Sequence, residues 1–176
     1  PVTASGAGTV AVLVNPDGST QVIEDSTLIE GGMVVPVVNG DTVKIVDMSR
    51  EFTDVPADVW YEDAVDFVTA RDLFYGVTET TFDPAAHMTC ATLVTALARL
   101  EGLDTKAGTT WYEEGMSWAV TSGVMDAGVN PESTATSDLI QIYEKYFNVT
   151  IHDELPVTLT RAEAAQMLLN LKRCRP

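Results

Sequence analysis

The sequence predicts an α+β protein, in which a small antiparallel β-sheet of two hairpins is followed by an all-α domain of helix–loop–helix repeats. Three patterns predict this class. β-Branched residues alternate with a period of two over residues 8–47, apolar residues recur at helical spacing from residue 60 onwards, and one aromatic segment of the helical part occurs twice. We therefore expect a β lead-in over residues 1–48 and a helical repeat domain over residues 49–176.

The first hairpin is predicted from its turn. The run Thr9–Val14 is followed by Asn15-Pro16-Asp17-Gly18 and then by a second β-branched run, Gln21–Ile23. Asp-Gly between two such runs is a strong hairpin signal, because glycine accepts the positive φ that tight turns need.

The second hairpin is predicted from Met33–Val38 and Thr42–Val46, which flank Asn39-Gly40-Asp41. Pro36 lacks a main-chain N–H, which favours an edge strand or a bulge at its position. Four short strands have little core of their own, and the connection over residues 47–50 is too short for a flexible tether. We therefore expect the sheet to dock on the helical part.

Five helices are predicted in the remainder of the chain. Thr89 stands where an N-cap belongs, Gly102 stands where a left-handed C-terminal residue belongs, and Thr160-Arg161-Ala162-Glu163 has the spacing of a capping box. Apolar residues recur at intervals of three and four, which gives a helix one apolar face. Four such stripes are Tyr61, Ala64, Val65 and Val68; Leu93, Ala96, Leu97 and Leu100; Leu139, Ile142, Tyr143 and Tyr146; and Ala164, Met167, Leu168 and Leu171.

The helical part contains an internal repeat. Trp111–Val120 matches Trp60–Thr69 at a constant offset of 51 positions, close to the period of about 20–50 residues that is typical of repeat architectures. A two-helix unit cannot cover its own apolar stripes, so neighbouring units must share a core. We interpret the chain as two and a half repeats, over residues 52–102, 109–148 and 149–173.

A second interpretation makes residues 109–173 one repeat with an insertion of about 25 residues in its loop. We prefer two and a half repeats, because residues 136–147 have their own cap candidate and their own apolar stripe.

The charge of the chain argues against one class of partner. The formal net charge is −16, from 26 acidic and 10 basic side chains, and this charge repels the phosphate backbone of a nucleic acid. No apolar run approaches the roughly 20 residues that span a bilayer, so we expect no membrane insertion. Pro1 stands where an initiator methionine would. We interpret the chain as a piece of a larger protein, with the rest of the parent chain and a signal peptide on its N-terminal side.

No catalytic site, cofactor or metal site is predicted. The chain has no G-x-S-x-G or H-E-x-x-H motif, and His87 and His152 are isolated in the sequence. Cys90 and Cys174 are too few for a disulfide framework. They could pair in an oxidising compartment, but the favoured interpretation is one buried thiol and one loose thiol near the C-terminus.

One ordered set of motifs lies in the helical part: Phe52-Thr53-Asp54-Val55, Trp60-Tyr61, Gly76, Phe82-Asp83-Pro84 and Thr89. In order and spacing it resembles the S-layer homology repeat, whose pattern is F-x-D-V, W-Y, G, F-x-P and T-R-A-E, and the resemblance covers about residues 52–173. It implies repeats packed around a pseudo-threefold axis. It also implies a secreted module that anchors proteins of Gram-positive bacteria non-covalently to cell-wall polysaccharide, including pyruvylated secondary cell-wall polymer.

The chain departs from the family at the arginine of T-R-A-E. In the family this arginine contributes to the groove that meets an anionic sugar, where a helix N-terminus and a guanidinium both favour anions. The position is Cys90 in the first repeat, lies at or near Ser137 in the second, and keeps its arginine only at Arg161.

The resemblance gives six candidate polymer-binding residues, and each also has a structural interpretation. Asp54 fits a turn or a cap, and the two glycines fit special backbone conformations. The two tryptophans stand at helix starts beside apolar stripes, where we expect core packing before sugar stacking. The candidates are Arg161, Asp54, Trp60, Trp111, Gly76 and Gly128.

The leading functional hypothesis is non-catalytic binding of cell-wall polysaccharide at the cell surface. The alternative is a degenerate fold of the same family that acts as a structural or protein–protein interaction module, which the missing arginines and the negative charge favour. A third hypothesis, a hydrolase fragment, requires an exposed carboxylate pair in a deep pocket.

Overall fold

A computed structural model describes residues 6–29, 32–152 and 155–173 of the chain. These residues form five strands and five helices, which confirms the predicted α+β class. The strands are β1 (Thr9–Val14), β2 (Thr20–Ile23), β3 (Thr27–Ile29), β4 (Gly32–Val34) and β5 (Val43–Asp47). The helices are α1 (Glu62–Ala70), α2 (Cys90–Leu100), α3 (Glu113–Thr121), α4 (Thr136–Phe147) and α5 (Arg161–Arg173).

The chain divides into two compact units. The first comprises Pro1–Asp83 with Ala165–Pro176, and the second comprises Pro84–Ala164. The expected domain boundary after residue 48 and the pseudo-threefold arrangement of the repeats stay predictions.

The predicted first hairpin is confirmed in the first unit. β1 and β2 pair antiparallel, with Ala11 opposite Ile23 and Val14 opposite Thr20. Gly18 has a φ of +85°, so the turn uses the conformation for which glycine is suited.

The predicted second hairpin is wrong. β5 pairs antiparallel with β1, where Val46 lies opposite Val10, and the three-stranded sheet has the order β2-β1-β5. β4 instead pairs with β3 in a separate two-stranded sheet. Pro36 accounts for part of the difference, because a residue without N–H cannot extend β4, which ends at Val34. Val38 beyond it is 73% exposed.

The sheet docks on α1, as expected from its small size. Val10 and Val12 of β1 form a buried cluster with Ala70, against which Val46 and Met48 pack. The lead-in and the first helix therefore share one core.

Arg71 is the polar part of this docking contact, and no sequence pattern predicts this role. Its side chain is 1% exposed and donates hydrogen bonds to the main-chain oxygens of Ala7, Thr9 and Ser26, each at 3.0 Å. A further bond reaches the oxygen of Phe67 at 3.3 Å. Burial lowers the pKa of Arg71 to about 10, which leaves it charged at neutral pH. The guanidinium of Arg71 thus donates hydrogen bonds to carbonyl groups of three separate segments of the chain.

The predicted helix signals are confirmed in the second unit. The hydroxyl of Thr89 accepts a hydrogen bond from the main-chain N–H of Thr92 at 3.2 Å, and Gly102 has a φ of +78°. The capping box closes in both directions: the Thr160 hydroxyl accepts from the Glu163 N–H at 3.2 Å, and the Glu163 carboxylate accepts from the Thr160 N–H at 2.7 Å.

α2 and α3 pack closely because one contact residue is a glycine. A Cβ atom added at Gly115 would lie 2.7 Å from the Cα atom of Thr95, nearer than ordinary contact allows. On the α4 side, Tyr143 is fully buried and donates its hydroxyl to the main-chain oxygen of Ala164 at 2.6 Å. No helix among the described residues is long and apolar enough to cross a membrane.

Candidate functional site

Asp54 closes a corner in the first unit. Its two carboxylate oxygens accept hydrogen bonds from the main-chain N–H groups of Phe82, at 2.9 Å, and Asp83, at 2.7 Å. The rings of Phe52 and Phe82 meet with centroids 5.7 Å apart, and Phe82 is fully buried. The F-x-D-V motif (Phe52–Val55) and the F-x-P motif (Phe82–Pro84) therefore contact each other, and Asp54 has the structural role of joining them. We call this contact the motif corner.

Gly76 belongs to the same corner. A Cβ atom there would lie 2.4 Å from the main-chain oxygen of Thr78 and 2.7 Å from the ring of Phe52, so close approach requires glycine. Gly128 serves a different need, since its φ of +88° favours a residue without a side chain. Gly128 thus has the special backbone conformation expected from the sequence, whereas Gly76 is required for close approach and does not have a positive φ.

The expectation that Trp60 is a core residue is wrong. Its side chain is 61% exposed and meets the ring of Tyr61 edge-on, with centroids 5.1 Å apart and an angle of 88°. The physical reason is the helix start. α1 begins at Glu62, so Trp60 precedes the helix and lies outside the stripe that buries Val65.

Trp111 repeats this arrangement in the second unit, so its expected core role is wrong as well. It is 54% exposed, and its ring meets that of Tyr112 at 5.2 Å and 87°. An exposed indole held by a neighbouring ring offers a flat apolar face at low entropic cost. We call these two features, Trp60 with Tyr61 and Trp111 with Tyr112, the aromatic platforms.

A glutamate follows each platform in the first helical turn. The Glu62 carboxylate accepts from the Asp58 N–H at 2.6 Å, and the Glu113 carboxylate accepts from the Thr109 N–H at the same distance. The Thr109 hydroxyl also donates to Glu113 at 2.6 Å. These bonds hold the pKa of Glu113 below its usual value, so a negative charge persists beside Trp111.

An open groove of about 430 Å³ lies in the first unit and contains charges of both signs. Asp66 has its pKa raised to about 6, chiefly because burial penalises its charge and secondarily because Glu62, Asp47 and Asp63 repel it. The groove is lined by Ser49, Arg50, Glu51, Phe52, Val55, Ala57, Glu62 and Asp66.

Arg161 lies in the second unit at the first position of α5. Its main-chain N–H donates to the oxygen of Ala86 at 2.8 Å, and Thr160 forms a β-bridge with His87. The side chain is half-buried. The start of α5 is thus fixed against the loop that precedes α2.

Cys90 occupies the corresponding first position of α2. Its main-chain N–H donates to the oxygen of Ser133 at 2.9 Å, so this helix start is also fixed by a loop carbonyl. The side chain is fully buried, as expected for one of the two cysteines. Burial and the nearby Asp138 raise the pKa of the thiol to about 11, which keeps it neutral. Cys174, and with it the question of pairing, lies outside the described residues.

The structure therefore separates the candidate residues into different local settings. Asp54 and Gly76 share the motif corner, Trp60 and Trp111 form exposed platforms, and Arg161 stands at a helix start. Among the described residues, no three His, Cys, Asp or Glu side chains are grouped as a metal site requires.

A comparison with known protein families matches the segment that forms the motif corner. The family model of the S-layer homology domain matches residues 51–89, which include Asp54, Trp60 and Gly76. No curated protein matches the chain. The repeat count beyond this match stays a prediction.

Proposed function

Because residues 51–89 form an S-layer homology domain, a module of cell-surface anchoring, we propose that this protein is a non-catalytic module that binds a cell-wall polysaccharide through its aromatic platforms. The platforms are the observation that carries the proposal. Trp60 and Trp111 remain 61% and 54% exposed, although each could gain free energy by burial. Exposed aromatic faces of this kind stack on the C–H face of a pyranose ring.

The equivalence of the platforms supports a shared role. Trp60 and Trp111 are separated by the offset of 51 positions, and both make the same edge-on contact with the following tyrosine. A tryptophan exposed once needs no explanation. Two that are exposed at equivalent positions, in the same geometry, favour a function that uses the exposed face.

Arg161 is the remaining candidate for contact with an anionic substituent, including a pyruvyl group. It is the one cation that the first turn of α5 carries, and a helix N-terminus adds a favourable field for an anion. We propose Arg161 as a secondary contact to the polymer, whereas Asp54, Gly76 and Gly128 support the fold.

Retention on purified cell-wall sacculi of the source genus tests the proposal. The wild-type chain should sediment with sacculi, and Trp60→Ala and Trp111→Ala should each reduce the affinity about fivefold, as expected for the loss of about 1 kcal/mol of stacking. Val38→Ala and Val157→Ala serve as controls, because they remove exposed apolar side chains outside the platforms. Equal retention of all variants, or none above an albumin control, would contradict polymer binding.

A second candidate function is a protein-interaction module without polymer binding. The full burial of Cys90 at the position of the family arginine favours it, because a neutral thiol offers no cation to an anionic polymer. This function predicts a stable complex with another protein chain in the absence of sacculi. Chemical crosslinking with surface proteins of the source bacterium would reveal that complex.

A further inference from the structure

We infer that Asn39 is a site of spontaneous deamidation, at which the folded chain converts an exposed side-chain amide into aspartate or isoaspartate. The inference rests on the sequence Asn39-Gly40, on the exposure of both residues and on the hydrogen bonds around them. It is independent of the proposed function, because it concerns a covalent change in the β lead-in.

The reaction joins the side chain of Asn39 to the next main-chain nitrogen. The nitrogen of Gly40 attacks the Cγ atom of Asn39, so that a new C–N bond forms and the C–N bond of the side-chain amide breaks. The attacking nitrogen gives up its proton, and the leaving group takes up a proton and departs as ammonia. Water then opens the succinimide ring at either carbonyl group. One opening gives aspartate, and the other gives isoaspartate, in which the side-chain methylene has entered the main chain.

The turn around Asn39 leaves both reacting groups available. Val38 and Asp41 close the turn: the Asp41 N–H donates to the Val38 oxygen at 3.2 Å, and the Val38 N–H donates to the Asp41 carboxylate at 2.9 Å. Among the described residues, neither the Gly40 N–H nor the Asn39 side chain has a hydrogen-bond partner. Gly40 also has no side chain that would shield its nitrogen. The nucleophile and the amide are therefore both free to react.

The other four asparagines of the chain lack this combination. Asn15 and Asn130 each precede a proline, whose nitrogen carries no proton to give up. After Asn148, the Val149 N–H donates to a carbonyl group of α4 at 3.2 Å, and its β-branched side chain crowds the nitrogen. Asn170 lies within α5, where helical hydrogen bonds occupy the following N–H. Its side-chain oxygen also accepts a hydrogen bond from a neighbouring glutamine at 2.9 Å.

The related sequence Asp17-Gly18 is protected by its hydrogen bonds. The Gly18 N–H donates to the oxygen of Asn15 at 2.9 Å. The Asp17 carboxylate accepts from the N–H of Ser19 at 2.9 Å and from its hydroxyl at 2.7 Å, and these bonds hold the pKa of Asp17 below its usual value. An ionised carboxylate is a poor electrophile, so we expect no isoaspartate at position 17 of the folded chain.

Deamidation changes the connection between β4 and β5. Either product adds a negative charge near Asp41, in a chain whose formal net charge is already −16. Isoaspartate also lengthens the main chain three residues before Thr42, whose oxygen accepts a hydrogen bond from the Val14 N–H at 2.8 Å. We therefore expect the isoaspartate form to loosen the end of the β1–β5 pairing, while the buried cluster of Val10 with Ala70 is retained.

Peptide mapping of the full chain by mass spectrometry, during incubation in mildly alkaline buffer, tests the inference. Position 39 should convert at least about 10-fold faster than Asn148 and Asn170, and isoaspartate methyltransferase should label its peptide. Asn39→Gln should abolish the conversion at this position, because the longer side chain would have to close a larger ring. Asn170→Gln is the matched control: it makes the same exchange at another exposed asparagine and should leave the rate at position 39 unchanged.

Three results would count against the inference. If Asn39 stayed intact, or if Asn148 or Asn170 converted equally fast, the turn would not present a reactive amide. If isoaspartate formed at position 17 as readily as at position 39, the hydrogen bonds would not control the reaction. The Val14 amide should exchange its hydrogen at least about 3-fold faster in the isoaspartate form than in the unreacted chain. Equal exchange would overturn the proposed effect on the β1–β5 pairing.

Discussion

The guanidinium carbon of Arg71 lies 4.2 Å from the centroid of the Phe67 ring. This cation–π contact adds to the four carbonyl groups that Arg71 reaches, and no carboxylate is among those hydrogen-bond partners. The planar guanidinium can donate to several separate acceptors while its face lies on a ring, which a lysine ammonium cannot do. Arg71 therefore determines how the β lead-in is attached to α1.

Arg71→Lys should destabilise the first unit by about 2–4 kcal/mol, because several buried carbonyl groups lose their donor. Chemical denaturation followed by circular dichroism measures this loss. Arg50→Lys is the control, since Arg50 is about two-fifths exposed and has one ion pair with Asp72; its effect should stay within about 0.5 kcal/mol. Similar denaturation midpoints for the two variants would show that Arg71 does not hold the lead-in.

Gly76→Ala should destabilise the motif corner by more than about 2 kcal/mol, because the added methyl group overlaps a main-chain oxygen that cannot move freely. Gly32→Ala is a matched control: no atom lies within 4 Å of a Cβ at that position, and its φ is not in the left-handed region. Thermal unfolding of the two variants checks the prediction. It would be wrong if the two substitutions had equal effects.

The helices other than α3 could be predicted from the sequence because each has an apolar stripe that repeats with the helix period, and α3 follows from the internal repeat. Thr89, Gly102 and the Thr160–Glu163 box also act locally, so their roles follow from neighbouring residues alone. The pairing of β4 and β5 could not be predicted in this way. The residues around Met33–Val38 and Val43–Asp47 have the same β-branched composition, which does not distinguish their partners. β4 pairs with β3, its neighbour in the chain, whereas β5 pairs with β1, which is distant in the sequence.

Helical periodicity does not predict the exposure of the two tryptophans either. An apolar stripe applies only within the helix, and α1 begins at Glu62, two residues after Trp60. A signal was present in the sequence: the acidic pairs directly after each W-Y favour the first turn of a helix and thus place the tryptophan before it. The role of Arg71 had no such local signal, because its acceptors lie up to 64 positions away.

Asp66→Asn should stabilise the protein at neutral pH. The pKa of Asp66 in the folded state, about 6, exceeds its ordinary value of 3.8. The contribution of Asp66 to the free energy of unfolding is therefore fully present below about pH 4 and is lost as the pH rises through 6. Because the side chain is partly exposed, the expected gain in the variant is about 1 kcal/mol rather than the full value of the shift.

Denaturation of wild type and Asp66→Asn between pH 4 and pH 8 checks this sign. The difference in unfolding free energy should grow as the pH rises through 6 and become constant above it. Other carboxylates, such as Asp47 with its lowered pKa, act in the opposite direction and are common to both proteins. If the difference in unfolding free energy did not change with pH, this would contradict a charged Asp66 that neighbouring carboxylates repel.

Cys90→Arg and Ser137→Arg should differ strongly, although both would place arginine at or near the family position. Cys90 is fully buried, so its replacement would force a charged and much larger side chain into a packed site and cost more than about 3 kcal/mol. Ser137 is exposed in the first turn of α4, where the helix dipole makes a cation unfavourable by at most about 1 kcal/mol. Thermal unfolding measures both costs, and equal destabilisation would contradict the difference in burial. If Ser137→Arg also strengthens retention on cell-wall sacculi, the missing cation, and not the fold, limits the binding of an anionic polymer.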